Sequence, residues 1–130
     1  MIGWIKVVSV ALFVVLAPVH SVMATALALM VIDLFLGVWA ANKRGDVITS
    51  AGLRRTLTKL VVYELGVVVA FLGEHFLLSD EVPLVKLAGA AIAMVELKSI
   101  VENLNEINGS PIFSALISAL GSKNDTDSTP

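Results

Sequence analysis

Two sets of polar residues stand where hydrocarbon surrounds them. Asp33 lies inside a run of about twenty mostly apolar residues, 21–41, where an unpaired carboxylate costs at least ~2.5 kcal/mol. It therefore must face protein or water. Gly37, Ala40 and Arg44 follow it at offsets that keep them on the same helical stripe. The second set is Glu96, Ser99, Asn103 and Glu106, whose spacings of three, four and three draw a polar stripe on a helix. Such groups hold helices together or line water. They make no catalytic constellation, because no nucleophile stands beside a base, no glycine loop cradles a phosphate, and there is no cysteine. The adjacent Glu74 and His75 point about 100° apart on a helix, so they do not make the i, i+4 pair a metal would need. The sequence thus predicts no enzyme, no metal and no cofactor.

The elements that position these residues follow from composition. Hydrophobic residues make up 57% of 130, charged residues only 15%, and mean hydropathy is +0.90. A chain this short buries a modest core, so much of this apolar surface needs lipid to cover it. The expected fold class is an all-α integral membrane protein, with three to four transmembrane helices and a short C-terminal amphipathic helix. Spans are expected at about 3–19, 21–41, 60–78 and 84–101. The first is short and starts with Trp4 and Lys6, which also fits a signal peptide. The apolar segment directly after it makes a first span the simpler reading. The last carries Lys86, Glu96 and Lys98, and so is expected to lie behind its neighbours.

Three pairs of small residues at four-residue spacing allow helices to approach closely: Gly37 with Ala41, Gly66 with Ala70, and Gly89 with Ala93. Between the middle spans, Lys43, Arg44, Arg54, Arg55 and Lys59 face a single acid, Asp46. This excess sets topology and places residues 42–59 on the cytoplasmic side. Gly45 reads as a helix C-cap, and Thr49 or Ser50 as the next N-cap. The turn Ser79-Asp80-Glu81-Val82-Pro83 has no Lys or Arg, as suits the opposite side. N- and C-termini are then cytoplasmic. The basic residues lack interleaved aromatics, so topology and anionic headgroups explain them better than nucleic acid does. Beyond Asn108-Gly109-Ser110-Pro111, an interfacial helix is expected over about 111–120 and a disordered polar tail over 121–130.

One resemblance is specific. Glu96-Leu97-Lys98-Ser99-Ile100-Val101-Glu102-Asn103 resembles the E-x-x-S-I-x-E-N signature of the small phage holins related to the clostridial toxin-secretion holin. Asp33 and Gly37 at D-x-x-x-G spacing, with Ala41, Lys43, Ser50 and Lys59 after them, resemble the other half of that pattern. The likeness covers roughly residues 25–120. It implies a phage-encoded protein of the bacterial inner membrane that assembles with itself and opens lesions through which a partner cell-wall hydrolase escapes.

The residues fit such a mechanism. The small-residue faces allow lateral homo-oligomers in the bilayer, and Asp33, Glu96, Ser99 and Asn103 give polar surface that assembly can hide or wet. Alternatively, Glu96, Ser99, Glu102 and Asn103 only cap and fasten the last helix. Other functional readings are a non-lytic membrane scaffold, or a virion component that docks at the cell envelope or helps form a genome-entry channel. A small transporter would use intramembrane acids too, but inverted repeats and broken helices are not visible.

Overall fold

The computed structural model describes residues 1–109 together with Pro111, Ala115, Ser118 and Ala119. The regular elements are helical: α1 (Ile2–Val15), a 3-10 turn (Ala17–Val19), α2 (His20–Arg44), α3 (Ser50–Leu72), a π turn (Gly73–Leu77) and α4 (Leu84–Asn108). The expected first span, 3–19, is divided. Pro18 has no N–H and its ring crowds the carbonyl four residues back, so α1 ends at Val15 and the chain tightens into the 3-10 turn. In the other direction, α4 continues seven residues past the expected end at Val101, to Asn108. The polar residues there end the apolar run without ending the helix, and only Gly109, at φ 71°, stops it. The expected interfacial helix over 111–120 and the tail over 121–130 lie outside the described residues, apart from the four positions named.

Local chemistry sets the other ends. Gly45 closes α2 at φ 82°. Its N–H bonds back to the Asn42 carbonyl and that of Asp46 to the Ala41 carbonyl, a Schellman closure that needs the left-handed conformation. Gly45→Ala is expected to lower stability by about 1 kcal/mol, read as a shifted unfolding midpoint in micelles. An unchanged midpoint would mean the cap is not formed. Thr49 is the N-cap of α3, its hydroxyl accepting from the Gly52 N–H. Pro83 gives α4 no side-chain cap, and Glu74 supplies one from the π turn, its carboxylate accepting the Val85 N–H at 2.8 Å. That bond ties the two arms of the hairpin between α3 and α4.

The core is small. Val19, Ala26, Val67, Phe71 and Ile92 are buried together, with Leu16, Val22, Met23, Tyr63 and Val85 packed around them. The most extensive helix contact is α2 on α4, and α3 lies across both. Two of the three small-residue pairs work inside this packing: a Cβ on Gly89 would meet Val22 Cγ1 at 3.3 Å, and one on Gly37 would meet Asn103 Nδ2 at 3.6 Å. A Cβ on Gly66 would meet nothing within 4 Å. In α1 no residue is buried.

Among the described residues, two helices are long and apolar enough to cross a membrane, Ala17–Arg44 and Ser50–Leu77. They contain the expected spans 21–41 and 60–78. At 28 residues each they reach about 42 Å, beyond the ~30 Å of a hydrocarbon core. Their most apolar windows bury only 17% and 11% of their residues, so the hydrophobic surface points outward. Val31, Phe35, Val61, Leu65 and Val69 are among the exposed side chains. A soluble protein would bury such helices instead.

Candidate functional site

The three long helices meet around one buried carboxylate. Glu96, midway along α4, has a relative exposure of 0%. Its Oε1 accepts from the Tyr63 hydroxyl at 2.8 Å and lies 2.5 Å from Lys59 Nζ; both partners are on α3, one turn apart. Oε2 is buried with no hydrogen-bond partner. Lys59 also stands 3.9 Å from Asp33 Oδ2 on α2, and Asn103 Nδ2, two turns along α4 from Glu96, donates to Asp33 Oδ1 at 3.0 Å. The Lys59 ammonium lies 5.6 Å from the Tyr63 ring centre. Two carboxyl groups thus share the one Lys59 nitrogen, all of them groups that lipid cannot solvate.

Toward the ends of α2 and α4 the contacts change character. Lys43 Nζ donates to the Ile107 carbonyl, and Arg44 bridges Asp46 and Glu106. These fasten the C-terminal ends of α2 and α4 side by side, where cations also favour the helix dipole. Between this clasp and Asp33 lies a groove of about 690 Å³, whose lining includes Asp33, Gly37, Ala41, Ser99 and Asn103.

Of the positions singled out from sequence, Asp33, Gly37, Ala41, Glu96, Ser99 and Asn103 converge on the interior between α2 and α4 or on its groove. Gly89 and Ala93 line a smaller groove of about 240 Å³ farther along the same pair of helices, with Val22 and Ala26. Glu102 does not join them; it is exposed and lies 3.9 Å from Lys98. Gly66 and Ala70 sit on α3 away from these contacts. The basic group divides: Lys43 and Arg44 belong to the clasp, Lys59 to the buried cluster, and Arg54 and Arg55 to the surface. Sequence reading missed Tyr63. Its signal was present, since the single tyrosine of the chain follows Lys59 by four residues and so shares its helical face. Tyr63→Phe is expected to cost about 1 kcal/mol, measured by unfolding in micelles with the fold intact by circular dichroism. A stability equal to the parent's would remove the hydroxyl from the cluster.

Comparison with curated proteins and with solved structures finds no match. A family model does match: that of the bacteriophage holin family, over residues 10–124. The matched stretch contains α2, α3 and α4 entire, with the buried cluster and the two apolar helices that point to a membrane location. The chain belongs to the bacteriophage holin family.

Proposed function

We propose that this protein is a phage holin that oligomerises in the bacterial inner membrane and forms lesions, through which a partner cell-wall hydrolase reaches its substrate. The observation that carries this reading is the family match over residues 10–124, and the outward-facing hydrocarbon of α2 and α3 supports it. In this reading α2 and α3 cross the bilayer, joined on the cytoplasmic side by the turn at Gly45–Thr49, with α4 returning behind them and α1 as a further apolar segment. That gives three to four crossings, with both termini cytoplasmic when α1 also crosses. The signature around Glu96 and Asn103, and the likeness to the clostridial toxin-secretion holin, belong to the same proposal, as does the absence of enzymatic activity.

The arrangement suggests how one protomer is harmless and many are not. Alone, a protomer keeps its Asp33, Lys59 and Glu96 charges inside and presents hydrocarbon to lipid. The Gly66–Ala70 face of α3 is open for another copy. If assembly draws α3 away from α4, Glu96 and Lys59 lose each other, and they are tolerated only against water or against polar groups of neighbouring copies. A water-lined gap between subunits then becomes the favoured arrangement.

Controlled expression in bacteria, with and without a cytoplasmic wall hydrolase that has no export signal, tests the function. Delayed and sudden loss of membrane integrity, with lysis only when the hydrolase is present, is the expected result. Abundant, inserted protein in healthy cells would overturn it and favour a membrane scaffold. Glu96→Leu in the same assay is expected to alter both lysis timing and oligomer size. If neither changes, Glu96 only fastens α4.

A further inference from the structure

The basic residues at the start of α3 form an open face that the interior uses only through Lys59 and Tyr63. Arg54, Arg55, Thr58, Lys59 and Val62, with the edge of Tyr63, line an open space of about 520 Å³ near the start of the helix. Among the described residues the guanidinium groups of Arg54 and Arg55 pair with no carboxylate. This contrasts with Lys43 and Arg44, which are held by α4. The first turn of α3 carries no acid, so its partial positive charge adds to theirs. Asp33 and Glu96 meet Lys59 from the interior, and Asp46, in the loop before α3, is held by Arg44. Glu64 is four residues beyond Leu60, on the flank of α3 away from Val62, which follows from roughly 200° between the two positions. Val62 stands two turns past Arg55 on the same face. Cations followed by an apolar residue on one helix face, at the proposed cytoplasmic end of a helix long and apolar enough to cross the bilayer, fit an amphiphile with a negative head.

We infer that this groove binds an anionic phospholipid of the cytoplasmic leaflet. Its phosphate sits between Arg54 and Arg55 within reach of Lys59, and an acyl chain lies along Val62. The site rests on the proposed orientation of α3, with its N-terminal end at the cytoplasmic face. Lys59 gives it a consequence. The same ammonium serves the outer groove and the inner carboxylates, so a bound phosphate competes with Glu96 for it, and lipid occupancy loosens α3 from α4.

Native mass spectrometry of the full chain in micelles tests the site, with dioleoylphosphatidylglycerol, dioleoylphosphatidylcholine and free glycerol phosphate as probes. The parent is expected to retain phosphatidylglycerol and not phosphatidylcholine. Arg54→Gln with Arg55→Gln is expected to weaken retention roughly thirtyfold, about a factor of five for each arginine, while both changed to Lys keep most of it. Both arginines are exposed, so helicity by circular dichroism should not change. Lys6→Gln with Lys98→Gln removes the same charge elsewhere and is expected to leave binding as it was. Equal retention by the double glutamine variant, equal loss in the Lys6 and Lys98 control, or equal retention of phosphatidylcholine would each overturn the site. Displacement by glycerol phosphate at equal concentration would overturn the lipid as ligand in favour of free phosphate. Binding is read without lysis: retention in a protein that fails the hydrolase assay would count against the holin reading alone. Failure of the parent to retain phosphatidylglycerol, with lysis intact, would count against the site alone.

Discussion

Lys59→Met is expected to lower the stability of the protomer by about 3–5 kcal/mol, and Glu96→Leu added to it to restore most of that loss. The reason is which partner is left behind. Without Lys59, the carboxylate of Glu96 keeps only the Tyr63 hydroxyl, at 0% exposure and with Oε2 already unpartnered. Removing the carboxylate as well leaves two apolar side chains of similar size in contact, and such replacements of buried pairs are often neutral or better. Glu96→Leu alone is expected to cost less than Lys59→Met alone. Lys59 has a side-chain exposure of 30% and keeps Asp33 at 3.9 Å, so its stem can carry the charge outward. Reversible unfolding in mixed micelles, followed by circular dichroism over the four variants, gives the coupling energy. Strictly additive losses would mean that the pair does not hold α3 to α4.

Gly37→Leu and Gly66→Leu are expected to fail in different places. At Gly37 even a Cβ would touch the Asn103 amide at 3.6 Å, and that amide holds Asp33 at 3.0 Å. A leucine there forces α2 from α4 and breaks the hydrogen bond, a loss of about 3 kcal/mol, with α4 the first element to lose protection from hydrogen exchange. At Gly66 nothing stands within 4 Å, so the protomer keeps its stability, raised if anything by about 1 kcal/mol of helix propensity. The proposed contact between copies is what suffers, and sedimentation in micelles is expected to move toward the monomer. Full-size oligomers with Gly66→Leu would take the α3 face out of the assembly. An undisturbed fold with Gly37→Leu would mean that α2 and α4 do not meet there.

Much was legible from local chemistry. Gly45 and Thr49 mark the ends they were expected to mark, because a left-handed cap and a hydroxyl N-cap are decided by the residues beside them. The apolar runs within α2 and α3 were legible for a similar reason, since length and hydropathy are properties of a segment. The end of α4 was not. Where an apolar run stops and where a helix stops are different events, and Glu102, Asn103 and Glu106 prolong the helix past the first. The apolar run stops near Pro18, which sequence shows; that the helix already ends at Val15, ahead of the proline, is set by the backbone around its ring.

Segment properties thus suffice for the helical class, the two long apolar helices and their caps, and the polar positions that hydrocarbon cannot hold alone. Which of those positions meet depends on helix packing. Five cations close together in the chain have three different fates, because α4 offers a carbonyl and Glu106 to Lys43 and Arg44, Glu96 to Lys59, and, among the described residues, no carboxylate to Arg54 and Arg55. Likewise three equivalent small-residue pairs become two internal contacts and one open face. Spacing along a helix fixes the side on which a residue lies, whereas the partner on that side is set by how the helices pack.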